Sequence, residues 1–224
     1  MPRPRHDSEV LPAKERLENS FWTLLQDQDF AKITVTEIVH DAEVNRNSFY
    51  YHFSGLSELA DSAIMHEVER MPAMGLLSLD HEPEVAWRRY AGQLLNDPEQ
   101  RMRLDRLALL TGEHGAPELT DSLHDFMELN LMSLLGLDPE HLPAKTRMML
   151  DFLVGGMLSV LHEWPELSLT LSAEDFMSED IGVLTIGLCL ALANGDASPY
   201  WHRVFGTAPD APTYARRAPQ PVVI

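Results

Sequence analysis

Apolar positions recur at helical spacing along almost the whole chain. Leu17, Phe21, Leu24 and Leu25 predict a first helix over 11–28. Val35, Ile38, Val39 and Ala42 follow the i, i+3, i+4, i+7 pattern of a short amphipathic helix. "TVTE" before it is a capping box, in which the Thr34 hydroxyl accepts from the amide of Glu37 and the Glu37 carboxylate reaches back. "ITVTEIV" has the β-branched content of a strand, but the cap and the stripe favour helix. Further helices are predicted at 57–71, 84–96, 99–112, 117–136, 144–164 and 174–194. Pro72, Gly75, Pro83, Pro98, Gly112, Gly115, Pro117, Pro139, Pro143 and Pro165 fall between them. No period-two alternation stands out, so the fold class is all-α. Residues 197–224 hold 5 of the 15 prolines and no sustained period, and read as an extended or disordered tail.

The 224 residues are 45% apolar, enough for a real core, and fit one large domain or a small one joined to a larger one. The longest apolar run, 181–193, has 13 residues, too short for a bilayer and suited to a buried helix. Cys189 is the single cysteine, so no internal disulfide can form. "MPRPRHDSEVLPAKE" has no apolar core of a signal peptide. These features lead us to expect a cytoplasmic protein with no membrane partner.

Charge alters that picture. The formal net charge is -18, concentrated in 61–196, where 8 Lys and Arg face 24 Asp and Glu. Such acidity opposes nucleic-acid binding, which draws on neutralised phosphates. Residues 1–60 are much less acidic, with 6 Lys and Arg against 10 Asp and Glu. Within them, "VNRNSFYYHF" (44–53) has one Arg and no acid. Asn45 is a good helix N-cap. With Arg46 opening a helix, Phe49 and Phe53 fall on one face, and with Val44 they anchor it to the helices before. Asn47 and Tyr51 then point away, flanked by Ser48 and Tyr50. Asn, Ser, Tyr and Arg on a free face can hydrogen-bond base edges and phosphates. Three short helices, the second and third joined by "EVN", form a helix-turn-helix unit.

Residues 33–64, "ITVTEIVHDAEVNRNSFYYHFSGLSELADSAI", resemble the tetracycline-repressor (TetR) family of bacterial regulators. The likeness lies in the Thr34 cap, Ala42 and Val44 of the turn, "YYHF" at 50–53, and the entry to a long fourth helix. There are two departures. Glu43 replaces the turn Gly, and Leu56 replaces the Lys that usually opens the fourth helix and contacts phosphate. The resemblance implies a helix-turn-helix DNA-binding domain over 1–56, a larger helical ligand-binding and dimerisation domain over 57–196, and the tail beyond. It implies phosphate contacts by Thr36, Tyr50 and His52, and base reading by Asn45, Arg46, Asn47, Ser48 and Tyr51. Arg3 and Arg5 form either a minor-groove arm or a loose charged terminus.

Beyond residue 72 the resemblance thins. The 144–164 helix carries Phe152, with Gly155 and Gly156 at its centre, where another helix can approach. The 174–194 helix, with Leu184 and Leu188, is apolar nearly all round and must be covered. A two-fold four-helix interface would cover both, making the partner a second copy; burial within one chain is the alternative. A small-molecule effector pocket is expected, with Trp87, Tyr90, Met102, His124, Met127 and Asn130 as candidates. For Asn130 the alternative is a polar partner on a neighbouring helix, and for the others plain core packing. No HxxxH, Cys pair, GxGxxG, P-loop or GxSxG occurs, so no metal, cofactor or enzyme activity is expected. The expected function is ligand-responsive regulation of transcription, usually repression, by a dimer on palindromic double-stranded DNA. The alternative is an interaction module that has lost autonomous DNA binding and acts through a protein partner.

Overall fold

A computed structural model describes residues 11–72 and 83–194. The Arg3 and Arg5 arm and the tail at 197–224 lie outside the described residues, as does the side chain of Leu184. Among those described, every regular element is helical. Helix α1 spans Ala13–Asp27, and a 3-10 turn, Phe30–Lys32, leads to α2, Val35–Asp41. Then come α3 (Arg46–His52), α4 (Leu56–Glu69), α5 (Pro83–Asn96), α6 (Pro98–Thr111) and α7 (Pro117–Leu135). A second 3-10 turn, Pro139–His141, precedes α8 (Ala144–Thr170), α9 (Ala173–Phe176) and α10 (Glu179–Asn194). None of the described helices is long and apolar enough to cross a membrane.

Local chemistry sets these boundaries. The capping box at α2 is complete: the Glu37 amide donates to Thr34 Oγ1 at 3.3 Å, and the Thr34 amide to Glu37 Oε2 at 2.9 Å. "ITVTEIV" is therefore helix, because its first amides find partners without a sheet. Asn45 caps α3 and Asp97 caps α6, each side chain taking an amide of the first turn.

Two boundaries differ from the sequence pattern. Pro165 does not end α8, which runs six residues beyond the expected 164. The proline removes one intrahelical bond, to Leu161, but Leu161 and Trp164 are buried and hold this stretch in place. The expected 174–194 helix is broken into α9 and α10. Ser172 caps the first, accepting from the Asp175 amide at 3.1 Å, and the Ser178 carbonyl receives the Gly182 amide to start the second. Two serines six residues apart each offer a start.

A continuous buried cluster runs from Leu17, Phe21 and Trp22 through Ile38, Phe49 and Phe53 to Ile64, Leu107, Leu123 and Trp164. The N-terminal helices thus share their core with α4, α6 and α7. A second cluster gathers Trp87, Ala91, Leu131, Leu150, Val154 and Cys189. Here α10 packs closely on α5: a Cβ on Gly182 would lie 2.9 Å from the Trp87 ring.

Candidate nucleic-acid interface

The helix α3 is held from below by two phenylalanines. Phe49 is fully buried and Phe53 nearly so, with ring centroids 5.9 Å apart. Their burial fixes the rotation of the helix. Asn45, Arg46, Asn47, Tyr50 and Tyr51 are exposed, Tyr51 to 84%, while Ser48 and His52 are half-buried. Thr36 is exposed in the first turn of α2. These eight positions occupy the two helices of one helix-turn-helix unit.

Two of the polar groups are already engaged. Asn45 Oδ1 accepts from the Ser48 amide at 2.8 Å, so its acceptor serves the helix and its NH₂ remains for a ligand. The Arg46 guanidinium stands 5.8 Å from the centre of the Tyr50 ring, with Nη2 3.4 Å from the phenol oxygen. That contact restricts a long side chain before any partner arrives. Tyr51 meets His52 edge to face, with centroids 4.9 Å apart.

The two departures from the family pattern have distinct geometries. Glu43 has φ 52°, left-handed backbone that favours glycine, and it is exposed. Leu56 is half-buried against the main cluster, so the position that carries a lysine in the family pattern here adds to the core. Glu58 takes over the start of α4: its Oε2 accepts from the Ser54 amide and hydroxyl at 2.7 and 2.6 Å. These bonds hold the Glu58 carboxyl below its ordinary pKa.

Among the candidate effector residues, Trp87, Tyr90 and Met127 border the second cluster. Trp87 Nε1 donates to the Phe176 carbonyl at 2.9 Å, and its ring lies 5.3 Å from that of Phe176 and 5.9 Å from that of Tyr90. Burial pushes the Tyr90 phenol well above its usual range and the Cys189 thiol up to about 12. Asn130 is half-buried on α7. Met102 is 45% exposed on α6, and His124 lies half-buried beside Asp125 and Glu128. None of the six lines either of two described cavities. One, about 220 Å³, lies among α5, α6, α8 and α9; the other, about 320 Å³, lies between α6 and α8 near the α6–α7 turn. Trp164 borders both, and its Nε1 donates to Asp105 at 2.8 Å.

Of the candidate dimer residues, Phe152 is 71% exposed. Gly155 and Gly156 are exposed, and Cβ atoms built on them meet no atom within 4 Å. Leu188 is half-buried against the second cluster, on a helix packed on α5 and α8 of its own chain.

Sequence periodicity did not single out the polar contacts that join α1, α4 and α6 to one another. Glu18 accepts from the Ser62 hydroxyl at 2.7 Å and pairs with His66 Nδ1 at 2.6 Å. Glu67 takes Arg103 and Arg106 through separate oxygens, and Arg106 also reaches Asn19 at 2.9 Å. Nor was the α6–α7 turn foreseen as a contact, although its glycines were. The His114 carbonyl accepts from the Phe30 amide at 2.9 Å, and its ring meets Asp29 at 2.9 Å. The available signal was charge at inward helical positions: Glu67 lies between Ile64 and Val68, and Arg103 lies one turn before Leu107.

No family model and no curated protein matches this chain. Solved structures do. The chain is similar to a TetR-family transcriptional regulator from Streptomyces coelicolor, at 16% identity over 88% of this chain and 92% of that one, with a TM-score of 0.51. It also aligns with the TetR family repressor AlkX from Dietzia sp., at 17% identity over 88% of this chain and 99% of that one, with a TM-score of 0.39. Taken with the geometry of α1–α4, the Streptomyces coelicolor likeness gives the all-helical fold: it is that of TetR-family transcriptional regulators.

Proposed function

We propose that this chain is a non-enzymatic, cytoplasmic transcription regulator, acting most often as a repressor, which binds a palindromic operator as a homodimer and releases it on binding a small molecule. The observation that carries the reading is the division of α3. Phe49 and Phe53 are buried, while Asn47 and Tyr51 stand in solvent on the opposite side. In this reading residues 1–56 are the DNA-binding head and 57–196 the effector-binding and dimerisation body. Asn47, Tyr51, Arg46, Ser48 and the NH₂ of Asn45 read bases; Thr36, Tyr50 and His52 touch phosphate.

The face of α8 carrying Met148, Phe152, Gly155, Gly156 and Val160 supports dimerisation. It is apolar or small, exposed, and without a covering element among the described residues. A second copy of the same helix would cover it about a two-fold axis, as palindromic DNA requires.

Selecting sequences from a random DNA pool with the purified protein tests the reading. An enriched palindrome is expected. Asn47→Ala should then weaken binding to it by roughly 1–3 kcal/mol if it makes a bidentate base contact, and Tyr50→Phe should weaken it too, with the fold intact by circular dichroism. Unchanged affinity in both variants would contradict the assignment.

A second reading is favoured by Glu43 and Leu56. One puts a carboxylate beside the DNA-facing helix, and the other removes a phosphate contact. In that reading the chain is an interaction module working through a protein partner, and the pool shows no enrichment even at low salt.

A further inference from the structure

The smaller cavity has chemistry of its own. Leu95, Trp164, Leu167, Leu171 and Phe176 form apolar walls, and Arg101 is the one charged residue among the described lining. Arg101 is half-buried. Its guanidinium carbon lies 5.6 Å from the centre of the Trp164 ring, and Nη2 is 3.3 Å from the Ser168 carbonyl. Both partners are neutral. A guanidinium has five N–H donors, so most of its capacity is left over. On the same helix, Arg103 and Arg106 are paired with carboxylates. In a chain with 35 Asp and Glu against 17 Lys and Arg, a cation facing a cavity with only neutral partners among the described residues runs against composition.

We infer that this cavity binds a small organic anion: a carboxylate carrying an apolar body. The carboxylate meets the fork of Arg101, in the planar geometry that guanidinium and carboxylate share. The body lies against Leu167, Leu171 and Phe176. The acidic surroundings repel an anion at a distance. That field is screened beyond about 8 Å at physiological ionic strength, so the contact with Arg101 decides binding once the ligand is inside. A cavity of about 220 Å³ suits a compact ligand rather than a long chain.

The inference deepens the ligand-responsive reading proposed above, and rests on it for the consequence of binding though not for the site. Arg101, Arg103 and Arg106 share α6, and the latter two grip Glu67 on α4. An anion that draws Arg101 away from Ser168 acts on a helix tied to α4 through Glu67, and α4 packs on α7 and α1.

Isothermal titration of the full-length protein without DNA tests the site. The probe is 4-phenylbutyrate, with 4-phenylbutanol and 4-phenylbutylamine as neutral and oppositely charged counterparts. The carboxylate should bind saturably, about tenfold or more tighter than the alcohol, with the amine weakest. Arg101→Met, which keeps an unbranched apolar stem, should lower carboxylate affinity by about tenfold and leave the alcohol little changed. Ala173→Leu narrows the cavity with Arg101 intact and should weaken both. No saturable binding of the carboxylate, equal binding of carboxylate and alcohol, or undiminished binding by Arg101→Met would each overturn the inference. Operator release by 4-phenylbutyrate is a separate titration. Its failure counts against the regulatory reading, while the DNA-free result alone decides the site.

Discussion

Arg103 on α6 and Glu67 on α4 form a buried ion pair, Nη1 to Oε2 at 2.8 Å, with both side chains 6% exposed. Arg106 takes the second oxygen of the same carboxylate at 2.6 Å, and Glu99 engages the other end of Arg103. Removing one member of such a set leaves uncompensated charge out of water. Glu67→Ala should destabilise the protein by about 3–5 kcal/mol. Replacing Glu67 and Arg103 together, as Glu67→Leu with Arg103→Met, leaves only the less buried Arg106 without a carboxylate and should cost less than Glu67→Ala alone. Urea denaturation of the parent protein and the two variants checks this, and a double variant less stable than the single one would refute it.

Glu43→Gly should stabilise the fold. A non-glycine residue at φ 52° is strained by roughly 1–2 kcal/mol, and the flexibility of glycine in the unfolded chain returns part of that, about 0.4–1 kcal/mol. A net gain of about 0.5–1 kcal/mol is expected in the denaturation midpoint. The same change removes a negative charge beside the DNA-facing helix, so affinity for a selected operator should rise, most at low salt. If stability falls instead, the turn owes its shape to the Glu43 side chain.

Gly115→Ala should be damaging. A Cβ there would overlap the carbonyl oxygen of Leu110, which is backbone and cannot swing aside. Forcing it in should cost about 1–3 kcal/mol and loosen His114 from Asp29 and Phe30. Hydrogen exchange at the Phe30 amide, which His114 holds, reads the second effect directly. Protection unchanged from the parent protein would show that the turn does not brace this segment.

Acid should weaken the start of α2. Hydrogen bonds from the Thr34 hydroxyl and amide hold the Glu37 carboxyl below its ordinary 4.5. Asp29 is held below 3.8, chiefly by Lys32 and then by His114. A carboxylate with a depressed folded pKa binds fewer protons than the unfolded chain does. Its contribution is present at neutral pH, above the unfolded value, and is lost as pH falls through the lower folded value. Thr34→Val should therefore be less stable than the parent at pH 7, by about 1 kcal/mol for the lost cap, and the difference should shrink below pH 4.5. A gap that stays constant to pH 3 would separate the cap from the titration.

Most of this architecture is written in local signals. Thr34, Asn45 and the Phe49–Phe53 spacing fix helices α2 and α3 and their rotation, because caps and apolar stripes act within a few residues. The left-handed conformation at Glu43 follows from its place in the turn. What the periodicity conceals is long-range pairing. Glu67 and Arg103 are 36 positions apart, and only packing reveals that each stands opposite the other. Pro165 misleads for the same reason: a proline reads locally as a stop, whereas burial of Trp164 and Leu161 carries the helix through. Of the effector candidates Trp87, Tyr90, Met102, His124, Met127 and Asn130, three border one cluster and none lines a described cavity. Size and polarity mark a side chain as useful in a cavity without saying where the cavity forms.

Pro165 has one further consequence. Without its N–H, the rung that would tie it to Leu161 is missing, and the ladder of α8 is thinned just where Trp164 anchors it. The final turns, bearing Leu167 and Ser168, are tethered to the preceding stretch by one backbone rung fewer, and to α6 by the clasp of Arg101 on the Ser168 carbonyl. Anything that unfastens the clasp frees a short helical flap, and its amides should exchange with solvent ahead of those around Leu153.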